Sequence, residues 1–246
     1  MGSKGGLKHL KRLPAPSYWP IHRKEATWAP KPNAGGHAAN SCLPLGIILR
    51  DALHVAKTRR EVVRILSQGK IKVDGRTRYD ENHPVGLMDV IELADANLAY
   101  RILPVERQGL TIVRIPKDEA KFKLCKVMDK KITPKGRVQF GVHDGRNVII
   151  PKEESAAPYK TNDTLRVSVP TQRILNHIKF EKGNLALVVA GRNAGKSGKI
   201  VELQSGTATR PAMITIEDQA GSKFDTIVDY TFVVGTDKPA IKLEAA

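Results

Sequence analysis

The sequence predicts a multidomain α+β chain: a basic N-terminal extension, a small helix–helix–hairpin module, and two small antiparallel, barrel-like β domains. Three observations carry that reading. Apolar residues recur at helical spacing between positions 45 and 66. From about position 106 onward, short β-rich segments alternate with Gly, Pro and Asp-Gly turn signals. Finally, 246 residues with 41% hydrophobic content suffice for two or three packed cores. The expected units are 1–42, 43–105, 106–170 and 171–246.

In the first unit Lys4, Lys8, Lys11, Arg12, Arg23, Lys24 and Lys31 face only Glu25, a net of +6. Pro14, Pro16, Pro20, Pro30 and Pro32, with several glycines, deny it regular structure. Both tryptophans, Trp19 and Trp28, lie here beside Tyr18, His9, His22 and His37. Such an arm can track a phosphate backbone and stack on bases, or its aromatics can merely tack it to the body. Two tryptophans favour RNA contact, with Lys8, Lys11, Arg12 and Trp19 as the contacting residues. Lacking a buried periodic pattern, the arm is expected to order only on RNA.

In the second unit Leu45, Ile48, Leu49 and Ala52 mark a first helix, with Pro44 suited to its start. Thr58 and Glu61 form a capping box for a second helix, in which side chains satisfy orphaned backbone donors. Val62, Ile65 and Leu66 are its core stripe, and Gly69 is placed to end it. Lys70–Val73, the Asp74-Gly75 turn and Arg76–Tyr79 then read as a hairpin, and Met88–Leu93 as a closing strand.

The charges on this module indicate its use. Lys57, Arg59, Arg60, Arg64, Lys70, Lys72, Arg76 and Arg78 face only Glu61 and Asp74, a net of +6. Arg59 and Arg60 occupy a first helical turn, where the dipole is already positive. That placement costs a few tenths of a kcal/mol and favours a phosphate. On a helical wheel Arg60 and Arg64 lie about 40° apart and opposite the apolar stripe.

In the third unit Leu110–Ile115, Lys121–Val127, Val138–Val142, Val148–Ile150 and Thr164–Val169 read as strands, separated by turns at 134–136 and 144–145. In the fourth, Leu185–Ala190, Lys199–Leu203, Ala212–Glu217, Lys223–Val228 and Tyr230–Val234 do so. Between the first two of these, Gly191-Arg-Asn-Ala-Gly-Lys-Ser197 imitates a phosphate loop. It has three residues between its glycines where a Walker loop needs four, and a β-branched strand follows instead of a helix. It reads as a glycine-rich turn whose Arg192, Lys196 and Lys199 project toward phosphates.

No other chemistry stands out. His143-Asp144-Gly145-Arg146 is a turn before it is a general base. The seven histidines are scattered without a zinc pattern, and Cys42 and Cys125 lie outside any C-x-x-C. No catalytic residue, metal, cofactor or small-molecule substrate is therefore expected. A net charge of +16 points to a polyanion. A membrane is the weaker alternative, since no apolar stretch approaches about 18 residues. Absence of an apolar leader and sparse cysteine suit the cytosol.

With these residues in view, the chain resembles small-subunit ribosomal protein four of the archaeal and eukaryotic type. The resemblance spans nearly the full length. It rests on Lys8-His-Leu-Lys-Arg-Leu13, Trp28-Ala-Pro-Lys-Pro32, Cys42-Leu-Pro-Leu45, Ile71-Lys-Val-Asp-Gly75 and Met88-Asp-Val-Ile91. Phe122-Lys-Leu-Cys-Lys-Val127, His143-Asp-Gly-Arg146, and His177-Ile-Lys-Phe-Glu181 with Gly191-Arg-Asn193 complete it in the same order. It implies an alpha-L RNA-binding module, a middle β domain, and a KOW barrel around Gly183–Leu203. It also implies a structural role on small-subunit ribosomal RNA beside neighbouring ribosomal proteins. The tip Ala194-Gly-Lys-Ser197 departs from that family's pattern, and the end at Ala246 is similar to archaeal members. Two rivals remain: an RNA-modifying enzyme, which would need a large catalytic domain, and a KOW-bearing translation or transcription factor that does not reside on the ribosome.

Overall fold

The computed structural model describes residues 8–106, 109–134, 137–150, 159–207, 209–218 and 220–243. Lys4 and most of the expected 134–136 turn lie outside them. The architecture is mostly β, with few and short helices.

The extension folds back on itself as β1 (Leu10–Lys11) and β2 (Trp28–Ala29), an antiparallel pair. This corrects the expectation of an arm that orders only on RNA. Ala15, Trp19 and Ala29 enter the same core as Leu43, Leu45, Ile48, Val62 and Leu66. The sequence signal is irregular because prolines, not a helix or strand, space those apolar residues.

β3 (Cys42–Pro44) leads into α1 (Leu45–Ile47), which continues as a π turn through Ile48–Ala52. Leu45, Ile48 and Leu49 are fully buried, as their spacing requires. α2 (Arg59–Ser67) opens on the capping box: Glu61 N–H donates to Thr58 Oγ1 at 3.3 Å, and Thr58 N–H donates to the Glu61 carboxylate. Val62 and Leu66 are buried and Ile65 half-buried. β4 (Ile71–Val73) and β5 (Arg76–Thr77) form the hairpin, with Asp74 and Gly75 both at positive φ, the geometry that makes Asp-Gly the favoured pair there.

β6 (Pro84–Gly86) pairs with β3, and β7 (Val90–Leu93) with β4. β8 (Leu98–Val105) and β9 (Gly109–Ile115) complete a five-stranded sheet in the order β5-β4-β7-β8-β9. The division drawn at 105/106 therefore falls inside a hairpin of one sheet. β8 is absent from the strands expected from sequence, because its central Arg101 and Pro104 break both alternation and propensity.

After α3 (Lys117–Ala120) come β10 (Phe122–Ile132), β11 (Val138–Val142), β12 (Asn147–Ile150), β13 (Thr164–Ser168) and β14 (Ile174–Ile178). They form the sheet β12-β11-β10-β13-β14, so this sheet reaches past the 170/171 division. The last sheet has the order β18-β17-β16-β15-β19. Its strands are β15 (Leu185–Val188), β16 (Ser197–Gln204), β17 (Met213–Asp218), β18 (Lys223–Ile227) and β19 (Thr231–Gly235). Both sheets are antiparallel, and no pairing among the described residues closes either into a ring.

One apolar cluster joins the three five-stranded sheets: Leu103 and Val113 from the first, Phe122 and Leu124 from the middle, Leu187, Phe232 and Val234 from the last. Beside it lies a buried charge cluster. Lys123 Nζ reaches Asp74 at 3.0 Å, Asp144 at 2.9 Å, and Asp89. Arg146 binds Asp74 and Asp144, and His37 binds Asp89 at 3.1 Å. The hairpin turn, the extension and the middle sheet are thus tied at one point.

Candidate nucleic-acid interface

The module presents its cations on the side its core does not use. Val62 and Leu66 fix the buried face of α2, so Arg60 and Arg64 emerge on the other face and are exposed. Neither closes an ion pair among the described residues, and Arg76 and Lys57 do not either. Lys72 is exposed on β4, opposite Glu92 in the ladder, without an ion pair to it. Glu61, the acid of the first turn, is engaged inward: it accepts from Lys57 N–H at 2.8 Å, which holds its carboxyl below the usual range.

Arg59 differs from its neighbour. Its guanidinium grips Glu81 through Nε at 2.7 and 3.0 Å while the side chain stays largely exposed. Its charge is therefore balanced in part within the protein. Arg78 is half-buried, and its Nε has no acceptor. It lines a cleft of about 290 Å³ with Arg76, His83 and Arg146. Burial, then the Arg78 charge, hold His83 below its ordinary pKa.

Two expected RNA-binding residues are internal. Arg12 is buried and acts as a strut: it donates to His22 O at 2.8 Å and Trp28 O at 3.3 Å, and pairs with Glu25 at 3.1 Å. Trp19 is 4% exposed, with Nε1 donating to Cys42 O at 3.0 Å. Its ring is enclosed by core and has no free face for a base. Lys8 and Lys11 are exposed. The exposed aromatic of the extension is Trp28, which is not among the residues expected from sequence to touch RNA. The choice between the two tryptophans depends on packing, and no local signal carries it.

The glycine loop is a turn into β16, as its spacing indicates. Its tip does not project. Gly195, at φ +92°, lies so close to the end of β8 that a Cβ would come within 2.9 Å of Val105 Cα. Lys196 faces Glu106 at 3.7 Å and the Phe224 ring at 5.4 Å. Lys196 therefore serves the packing against β8 before any phosphate, whereas Arg192 and Lys199 are exposed.

Sequence reasoning also misses the buried cations. Lys123 and Lys126, on opposite faces of the Lys121–Val127 strand, are both buried. Lys126 Nζ donates to Val228 O, Asp229 O and Thr231 O at 3.2, 3.0 and 2.8 Å, joining the middle and last sheets. Arg101 donates to Glu119 O and Phe122 O at 2.8 and 3.0 Å. His143 is enclosed as a neutral imidazole: Nδ1 accepts from Lys126 N–H, leaving Nε2 to donate to Leu87 O. Burial, then the Lys123 charge, push it down to about 4. Asp144 would be raised by burial, but Lys123, His143 and Arg146 outweigh this and hold it low. Such groups are structural; no cluster of three metal-ligating side chains occurs among the described residues. No helix among them is long and apolar enough to cross a membrane.

Comparison with known proteins is consistent along the chain. Residues 4–40 match the RS4NT (NUC023) domain, 45–91 the S4 domain, and 96–174 Ribosomal family S4e. The small ribosomal subunit protein eS4 of Staphylothermus marinus is 46% identical, covering 99% of this chain and 98% of that protein. That of Methanocaldococcus jannaschii is 43% identical, covering 99% and 100%. The crystal structure of 30S ribosomal protein S4e from Thermoplasma acidophilum has a TM-score of 0.65 at 35% identity, covering 80% of this chain and 95% of that one.

Proposed function

We infer function from a plain premise: the chain belongs to the eS4 family of small ribosomal subunit proteins and carries an S4 RNA-binding domain. In the cytoplasm it binds small-subunit ribosomal RNA and holds neighbouring helices in place by neutralising their phosphates, beside other ribosomal proteins. It does so as a structural component rather than an enzyme. One observation supports this above the rest. Arg60, Arg64 and Arg76 are exposed without internal counter-charge on a module whose apolar face is already satisfied. Phosphate contacts of this kind supply affinity, and RNA shape supplies placement.

On this reading the helix–hairpin unit is of the alpha-L type, and Gly183–Leu203 is the core of a KOW-type unit. The contacting set is Lys8, Lys11, Lys57, Arg59, Arg60, Arg64, Lys72, Arg76 and Arg78, with Arg192 and Lys199 at the far end. Arg12 and Trp19 leave that set, and Lys196 enters it only in part.

Sedimentation tests the proposal. A tagged copy should travel with small subunits and remain there through moderate salt washes. Release into the light fractions at the first wash would identify a transient factor instead.

A further inference from the structure

The extension and the start of α2 enclose a groove of about 780 Å³, within the roughly 300–1,000 Å³ typical of ligand clefts. Its distinctive member is Trp28. In the β1–β2 pair, Lys11 lies opposite Trp28 and Leu10 opposite Ala29. Strand alternation sends Ala29 into the core and Trp28 outward, where it is 56% exposed. The Arg12 strut fixes the Trp28 backbone from behind. The His9 ring leans against the indole at 5.5 Å.

The rest of the wall mixes cations with neutral residues such as Pro30, Pro32, Asn33 and Asn82. Lys8, Lys31, Arg50 and Arg59 line the groove; Arg59 holds Glu81, the one carboxylate of the lining among the described residues, and Arg50 holds Asp51 at 2.8 Å. An exposed indole flanked by cations suits a nucleotide that has left its helix: the base stacks on the ring and the flanking phosphates meet the cations. A paired helix cannot use the indole in this way, because its bases are stacked on one another. An acidic protein segment would satisfy the cations but would leave the indole without a π partner.

We propose that this groove takes an unpaired, splayed-out nucleotide of RNA, its base stacked on Trp28 and its phosphates held by Lys8 and Arg59. The proposal rests on the RNA-binding reading above and deepens it, from phosphate neutralisation to recognition of a single-stranded site.

The two tryptophans make it testable. Trp19 is enclosed, so RNA-dependent quenching of indole fluorescence reports on Trp28. The probes are a short oligouridylate and a blunt RNA duplex of equal length. Both should bind through phosphates, but only the single strand should quench Trp28. Trp28→Ala should weaken oligouridylate binding about 5- to 100-fold and duplex binding by less than about 2-fold. Trp28→Phe, which keeps an aromatic face, should restore most of the loss. Because the ring is exposed, both variants should melt like the parent. Equal oligouridylate affinity for parent and Trp28→Ala, with no quenching, overturns the groove while leaving RNA binding intact. Failure of both RNAs to bind overturns the RNA-binding reading itself.

Discussion

At the seam between the first and middle sheets, Lys123 is 1% exposed and stands among Asp74, Asp89 and Asp144. On α2, Arg60 and Arg64 are exposed and meet no carboxylate among the described residues. Both regions are basic in sequence, and both contribute to a net charge of +16. They differ in where the counter-charge comes from. Inside, burial makes an unpaired ion prohibitive, so the fold supplies carboxylates or carbonyls: three acids for Lys123, three backbone oxygens for Lys126. Outside, water tolerates the bare charge, and the position is left open for a polyanion. Net charge alone therefore says little about where RNA binds. The informative quantity is exposed cation without an internal partner.

The largest effect expected from this contrast is on stability at the seam. Lys123→Ala removes the cation shared by three buried carboxylates, leaving Asp74 and Asp144 to Arg146 and Asp89 to His37, and should cost about 3–5 kcal/mol, read as a fall in denaturation midpoint. That cost measures the acids left short of a cation, not the worth of the whole cluster, since wholesale apolar replacement of buried ions is often neutral. A variant as stable as the parent would break the distinction between inside and outside.

Acid sharpens the same point. His143 is neutral in the fold and titrates there near 4, against about 6.5 when unfolded. The unfolded chain then binds more protons between those values, so stability is complete above about pH 6.5 and falls as pH drops toward 4. The loss from this group is on the order of 3 kcal/mol. Asp89 and Asp144 have depressed folded values: burial would raise both, and Lys123 together with His37 at Asp89, and together with Arg146 at Asp144, outweighs it. Their stabilisation persists above about pH 4 and disappears below it, steepening the decline. Equilibrium unfolding across pH 7 to 3 checks this, and His143→Gln should flatten the upper part of the curve. A flat profile down to pH 4 would mean the seam admits water.

Smaller effects belong to the surface. Thr58→Ala removes the cap of α2 and should cost about 1 kcal/mol of stability, while folded protein binds RNA with an unchanged salt slope. A changed slope would mean the cap itself touches RNA. Lys196 is the intermediate case, half-buried and paired with Glu106. Lys196→Ala should shift stability by no more than about 1 kcal/mol. Calorimetry with ATP or GTP and magnesium should show nothing to lose; micromolar affinity abolished by the substitution would restore the phosphate-loop reading.

What the sequence reveals and what it hides divides along the same line. Thr58 with Glu61, Asp74 with Gly75, and Gly69 at a helix end are local devices, decided by residues within a few positions, and each is found as read. The Val62–Leu66 stripe is nearly as local. Lys123 is not: its burial is set by Asp74 and Asp89, 49 and 34 positions away. The same holds for Trp19 and Trp28, similar in sequence context and opposite in fate, because only packing against Cys42 and the α1 core separates them. β8 is illegible because Arg101, a buried cation whose Nη2 donates to two distant carbonyls, occupies a position that its own polarity assigns to solvent.

RNA binding by this protein is assigned above all to the exposed arginines of α2, and one titration tests them most directly. Arg60→Gln with Arg64→Gln should leave the melting temperature nearly unchanged, since the helix dipole disfavours Arg60 in the first turn and favours Arg64 in the last. Affinity for small-subunit ribosomal RNA should fall by roughly 1–3 kcal/mol, and the slope of log K against log salt should shrink by about 0.7–0.9 for each phosphate no longer neutralised. A double variant that binds as before, with the parent's salt slope, or that unfolds, would show these arginines to be structural and place the RNA surface elsewhere.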